Sequence, residues 1–491
     1  MRKYIRWSVA AIASGVLVAA ALPAQADHGD FPSTRNVRAL GHSPHPASFA
    51  VPAAERQVNS DIAFWGNLAI HGNYNGFRIV DISSPARPRL ISHPRCNGDQ
   101  GDVVVWDNIV VRSWNSPAPE EVRTCMGEPV PVGFEGVHVF DISDPANPQL
   151  VTEVEFSEEG AATRGTADGC GSHTQTLVPD LDNNRVVIYS NNSSGGGREV
   201  CDAMNIIEVP LDDPSQASHI GYVPLMDGTL GSTNGCHDAG AILGDANLLA
   251  CASGHAANVF SIGEPRGGSL EEPRFLFSVE EEEILDDGSL VKVGAPAAPG
   301  QFENHSGRWH SAGFSWDGEV LILGWEPGGG GQAECTADDA NINKTMFFYD
   351  TTDGRKLGQW TLPRAQGHDE NCTIHNYNTV PLRGGQDVVV SGNYQAGTWA
   401  VDFTDRGTPQ EFAWADPESL GPGPFCDPDG NDNPMPPTCQ LGGAWSSYWY
   451  NGVVYESDIS RGLNLYRVAD QAVRGAIKLP HLNPQTQEFV R

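Results

Sequence analysis

Four histidines recur at near-equal spacing in this sequence: His173 in GSHTQTLV, His237 in GCHDAGAI, His310 in RWHSAGFS and His375 in TIHNYNTV. They are 64, 73 and 65 residues apart. Imidazole is a ligand for Zn, Cu, Fe and Ni, and four His without Cys suit iron or copper better than a structural zinc site. For one ion to see all four, each must sit at the same place in a repeated unit, and those places must face one axis.

The repeated unit is visible. FRIVDISSPARPRL, Phe77 to Leu90, returns sixty residues later as VHVFDISDPANPQL, Val137 to Leu150. Each is an alternating apolar strand, then Asp-Ile-Ser, then a turn with two prolines that ends the ladder. Repetition at several tens of residues points to a propeller, solenoid or array. From Ser60 onward short strands alternate with turn residues, four strands to a unit. Seven such units fit residues 59–482, and ring closure would remove exposed sheet edges. The expected fold is therefore all-β, a seven-bladed β-propeller of four-stranded antiparallel blades. Long Gly/Pro/acidic insertions make the units longer than bare blades.

In a propeller the first strand of each blade lines the central channel. The four histidines open the first strands of four successive units. The same reading places Asp61, Asp102 and Trp445 on the channel in the remaining ones, with the carboxylates shaping a metal site. Since side chains alternate, a slip of one residue would turn any of these away from the axis. Asp238, Glu303, His305 and Arg308 are further candidates near the channel mouth. The Asp of each VDIS-type repeat (Asp81, Asp141, Asp402) reads as a turn-forming side chain rather than a catalytic one. Asp427, Asp429 and Asp432 alternate around a glycine as in a calcium loop, but no bidentate Glu follows. No Ser elbow, phosphate loop or dinucleotide fingerprint occurs.

Residues 1–26 have a basic start, an apolar run and an Ala-Gln-Ala cleavage site, which predicts a secretory signal peptide. Residues 27–58 read as an N-terminal extension lying on the propeller, and 483–491 as a C-terminal tail. Formal charge is −32, or −35 without the leader. That argues against nucleic acid or anionic lipid as a partner. No later segment is long and apolar enough to span a membrane. Ten cysteines in an exported chain predict disulfides. Consecutive pairing is the simplest scheme, and Gly244-Asp245 would turn the chain so that Cys236 faces Cys251.

The FRIVDIS and VHVFDIS repeats resemble the LVIVD-repeat family of secreted bacterial propellers. So do NSDIAFWGNLAIHGNYNGFRIVDIS, GCHDAGAI, RWHSAGF and the terminal WSSYWYNGVVYESDISRGLNLYRV. The resemblance implies a propeller and export, with no settled activity. The four channel His are similar in kind to those of carotenoid-cleaving oxygenases, which hold iron, and to selenium-binding-type propellers with His-bound copper. Two functions lead from sequence, with a hydrolase third. One is a secreted monomer with Fe or Cu at His173, His237, His310 and His375, acting as an oxidase or oxygenase on a small molecule. The other is a non-catalytic scaffold whose long loops hold an extracellular protein or glycan.

Overall fold

The computed structural model describes residues 31–47, 56–98, 100–115, 117–118, 123–156, 171–191, 203–226, 235–254, 256–280, 282–284, 290–292, 308–326, 330–331, 333–423 and 438–488. The expected signal peptide, the calcium-loop residues Asp427, Asp429 and Asp432, and the candidates Glu303 and His305 lie outside them. The described residues are all-β apart from short 3-10 turns, and they fold as a β-propeller-like ring of antiparallel meanders.

The first meander runs Asn59–Trp65, Leu68–Asn73, Gly76–Asp81 and Arg89–Ser92. The second runs Val103–Trp106, Ile109–Ser113, Gly136–Asp141 and Gln149–Glu155. Three more separate sheets follow, with inner strands Gln175–Asp180, Ala239–Ile242 and Arg308–Phe314. Apart from three two-stranded ribbons, the remaining described strands form one eight-stranded sheet. Two meanders join in it through a parallel contact between the inner strands Asn376–Thr379 and Ala444–Tyr450.

Sequence sets this layering. Inner strands such as Val103–Trp106 and Ile109–Ser113 are apolar on both faces and almost wholly buried. Outer strands such as Arg89–Ser92 carry polar residues and stay exposed or half exposed. A sheet packed on both faces requires the first pattern, and a rim strand tolerates the second. The core therefore lies between sheets. Val104, Val111 and Val139 of the second sheet meet Leu177, Ile188 and Ile207 of the third. The ring closes where Ile62, Phe64 and Val80 of the first sheet meet Tyr450, Leu463 and Leu465 near the chain's end.

Each repeated Asp is used for turning. Asp81, Asp141, Asp350 and Asp402 accept the backbone N–H two residues on, at 2.7–3.0 Å. Three consecutive cysteine pairs are bonded: Cys96–Cys125, Cys236–Cys251 and Cys335–Cys372. The second clasps the hairpin Ala239–Ile242/Leu248–Cys251. Cys170, Cys201 and Cys426 lie outside the described residues.

The two chain ends do more than lie on the domain. Val37–Pro44 is a strand, antiparallel to Gly462–Val468, and completes the last meander from the N-terminal side. Its exit is held by Arg78, buried in the first sheet, which donates to Ser43 Oγ at 2.5 Å and to the Ser43 and Pro44 carbonyls. The expected tail crosses one end of the channel instead of trailing. His481–Leu482 pairs with Asn59–Trp65, and Thr486–Gln487 pairs in parallel with Ala239–Ile242. Between them, the Asn483 side chain hydrogen-bonds both backbone groups of Val105.

Candidate functional site: a histidine-lined channel cavity

The innermost strands bring the four histidines side by side. Ring centroids are 4.2 Å apart for His173–His237, 4.0 Å for His237–His310 and 4.4 Å for His310–His375. All four line one cavity of ≈140 Å³. Trp445 continues the arc, its ring 4.8 Å from His375. His310 and Trp445 each occupy a β-bulge, between Trp309 and Ser311 and between Ala444 and Ser446 respectively. The extra residue re-aims their side chains toward the axis.

Asp61 and Asp102 require a correction. Ser113 N–H donates to Asp102 O, just as Asn191 does to Thr174 and Ala252 does to Asp238. Thr174 and Asp238 directly follow His173 and His237, so Asp102 stands one place beyond the histidine position. The residue in register with the histidines is Gly101, where an added Cβ would lie 2.5 Å from the Arg112 guanidinium carbon. Arg112 fills the space that an imidazole takes elsewhere. Asp61 shares the deeper layer with Asp102, through an electrostatic coupling that helps raise the Asp102 pKa. Neither lines the histidine cavity.

That deeper layer is a buried acid cluster of Asp61, Asp102 and Asp238. Burial pushes all three carboxyl groups up, and mutual repulsion adds to the rise at Asp102 and Asp238. Gln485 of the C-terminal crossing donates to Asp61 Oδ2 at 2.5 Å, and the Gln175 N–H donates to Asp102 Oδ2 at 2.6 Å. The channel therefore holds an imidazole tier and, one residue further in, a carboxyl tier closed off by the chain's end.

The imidazoles are oriented by oxygen acceptors. His173 Nδ1 lies 2.6 Å from Asn115 Oδ1, His237 Nδ1 3.2 Å from Asp238 Oδ1, and His375 Nδ1 bonds the Trp445 carbonyl. For His237 and His375 these acceptors place the proton on Nδ1 and leave the Nε2 lone pair for a ligand, whereas the Gln100 amide nitrogen reaches both His173 ring nitrogens, at 3.2 and 3.3 Å. His375 Nε2 has no hydrogen-bond partner among the described residues. Burial drives His173 and His375 down to about 3, and His237 and His310 well below the ordinary value. The ring is neutral at physiological pH, the protonation state that binds metal.

Two sets of three ligand atoms lie within 4.8 Å of one another: His173, His237 and Asp238, and His237, His310 and Glu326. His375 joins neither. A third set, Cys96, Cys125 and His138, has its two sulfurs committed to a disulfide.

Glu326 was not expected from the sequence. It ends the apolar strand Val320–Glu326 and is 2% exposed, with Oε1 3.4 Å from the Tyr394 hydroxyl and Oε2 3.4 Å from Arg308. Burial raises its pKa, opposed first by Arg308. Tyr394 and Tyr74 both line the cavity. They occupy the matching positions of His71-Gly-Asn-Tyr-Asn and Ser391-Gly-Asn-Tyr-Gln, so the repeated G-N-Y was the available signal. Gly330 permits the Tyr394 position, because a Cβ there would lie 2.0 Å from the Tyr394 oxygen.

The fold and site define a β-propeller-like all-β protein with a polar, His-lined axial cavity. Residues 59–93 and 132–155 match the LVIVD repeat family, so the chain carries LVIVD repeats in its first two sheets. No curated protein matches the sequence. Among solved structures, it is similar to a chain of the "Crystal Structure of Mitotic Checkpoint Complex", with TM-score 0.47 and 9% identity over 96% of this chain and 99% of that one. It is also similar to a chain of "The structure of the COPII coat assembled on membranes", with TM-score 0.46 and 9% identity over 87% of this chain and 50% of that one. A computationally designed protein, Ika8, gives TM-score 0.38 and 11% identity over 87% and 100%. At these scores neither activity nor partner is taken from them. Among the described residues no helix is long and apolar enough to cross a membrane.

Proposed function

We propose that this protein is an exported, seven-bladed propeller that holds a transition-metal ion, iron or copper, on its channel axis through the histidine tier. The blade count follows from dividing the eight-stranded sheet at its parallel Asn376–Thr379/Ala444–Tyr450 contact into two blades, beside the five sheets of four or five strands. The leader-like residues 1–26 and the three disulfides support export.

One observation carries the metal reading. Four buried imidazoles on adjacent inner strands stand side by side around one cavity, and buried carboxylates beside them complete sets of three ligand atoms within 4.8 Å. The Nδ1-to-oxygen contacts alone do not set these rings apart, since His42 and His45 make them with Asn464 and Asn59; their gathering at one cavity does. Imidazole ligation with a cavity beside it leaves coordination positions for dioxygen or a small substrate, which favours oxidase or oxygenase chemistry. The ≈140 Å³ volume suits a ligand about the size of one six-membered ring. A protein or glycan scaffold would work through the outer loops and leave this tier without a role.

The test is elemental analysis of the exported protein, purified without a histidine tag, beside the quadruple His173, His237, His310, His375→Ala variant. Near-stoichiometric Fe or Cu in the native protein alone is the expected result. Equal trace metal in both would hand the protein to the scaffold reading.

A further inference from the structure

The four histidines are not equivalent, and the carboxylates around them show which ones form the metal's primary ligand set. We infer that the ion is held by His237, His310 and Glu326, with Asp238 as a positioning residue behind the two imidazoles. This rests on the metal reading above and goes beyond it in naming the donor set and the metal class.

Asp238 sits between the two rings. Its Oδ1 is 3.2 Å from His237 Nδ1 and its Oδ2 is 3.8 Å from His310 Nδ1. One carboxyl group therefore faces the inner nitrogen of both imidazoles, which turns both Nε2 atoms the other way. On that other side stands Glu326, its Oε2 3.6 Å from His310 Nε2. The two carboxylates are also divided by the spaces they line. Glu326 lines the histidine cavity, whereas Asp238 lines a separate small pocket beside Tyr448 and Gln485. Among the described residues His310 Nδ1 has no hydrogen-bond partner, although the ring is 1% exposed. Closing the 3.8 Å gap to Asp238 Oδ2 by less than an ångström satisfies it.

The outer histidines are less available. His173 Nε2 is contacted by the Gln100 amide nitrogen at 3.3 Å. His375 belongs to no three-ligand set among the described residues and packs against Tyr394, ring centroids 4.3 Å apart. Their place in the account is as walls of the substrate space, with Arg308 beside Glu326. Two imidazoles and one carboxylate form the donor set of non-haem ferrous sites, and it selects Fe(II), with Mn(II), Co(II) or Zn(II) as substitutes, over Cu(I).

The test uses Co(II) alone as the probe. Metal-stripped full-length exported protein is titrated while the visible d–d absorption is followed, and affinity is taken by chelator competition. The wild type is expected to bind one Co(II). Glu326→Gln is expected to weaken binding at least tenfold and to shift the band, since an oxygen donor is lost. Asp238→Asn is expected to weaken binding 10–100-fold with the band retained, and His375→Ala to change affinity less than threefold. The double variant Glu326→Gln, Arg308→Met keeps the local charge balanced and repeats the Glu326 result if folding of the single variant is disturbed. Wild-type-like binding by both Glu326 variants, or a loss in His375→Ala equal to theirs, overturns the donor set while leaving a metal in the ring. Failure of the wild type to bind Co(II), Fe(II) or Zn(II) overturns this inference, and failure to bind copper as well overturns the metal reading with it.

Discussion

Glu456 gives a stability prediction that can be worked through from its surroundings. It lies in Val453–Asp458, the second strand of the last meander, and is completely buried. Its Oε1 accepts from Asn464 Nδ2 at 2.8 Å and the Tyr466 hydroxyl at 3.1 Å, and its Oε2 from Thr398 Oγ1 at 2.6 Å. Asn464 in turn meets His42 Nδ1 of the N-terminal strand at 2.7 Å. The network thus links Thr398–Asp402, the last meander and the strand that completes it. Burial, and secondarily repulsion from Asp458, pushes the Glu456 carboxyl up from 4.5 to about 7.

A carboxyl whose pKa is higher in the folded state holds its proton more tightly there. Stability is therefore unaffected below about 4.5, falls as pH rises toward about 7, and stays reduced above it. The shift corresponds to a loss on the order of 3 kcal/mol. For a cooperative unit of this size that is about 3 °C in Tm. Glu456→Gln keeps the shape and the acceptor for Asn464 and Tyr466, while its amide can donate to Thr398, whose hydroxyl also meets Ser447 Oγ. The expected result, by differential scanning calorimetry from pH 5 to 8.5, is a variant equal to wild type near pH 5 and about 3 °C more stable at pH 8. Parallel Tm–pH curves for the two proteins would refute the reasoning.

Three further outcomes follow from particular contacts. Arg78→Ala leaves the Ser43 and Pro44 carbonyls and His71 Nδ1 without their buried donor. It should cost about 2–4 kcal/mol and release the N-terminal strand first, read as early proteolysis near residue 40. The double variant Cys236→Ala, Cys251→Ala opens a disulfide of sequence separation 15 and should cost about 3 kcal/mol. Unchanged denaturant resistance would count against the pair as a clasp. Deleting residues 481–491 removes His481, whose ring stacks on Trp65 at 4.5 Å, together with the Gln485 contact to Asp61. Acrylamide should then quench tryptophan fluorescence more strongly, and no change would mean that the crossing does not seal that end.

Much of the ring was legible because its physics is local. The VDIS turns declare themselves through an Asp that caps its own backbone, and the apolar inner strands through their lack of alternation. The histidine tier was legible for the same reason: four imidazoles recur at one position of one repeat. Asp61 and Asp102 were misplaced by a single residue, because His310 and Trp445 ride on bulges that no composition rule marks and because Arg112 replaces an imidazole at Gly101. Glu326 was invisible since an acid ending a strand usually reaches solvent, and only packing against Tyr394 and Arg308 keeps it inside. The chain ends were read as loose for want of periodicity. Their strands are defined by partners some four hundred residues away.

X-ray absorption at the metal edge of the exported protein, as isolated, tests the central claim most directly. The expected spectrum has a first shell of nitrogen and oxygen near about 2.1 Å with the outer-shell scattering of about two imidazoles, both lost in His237→Ala, His310→Ala. A metal-free protein, or a spectrum unchanged by that double variant, would contradict it.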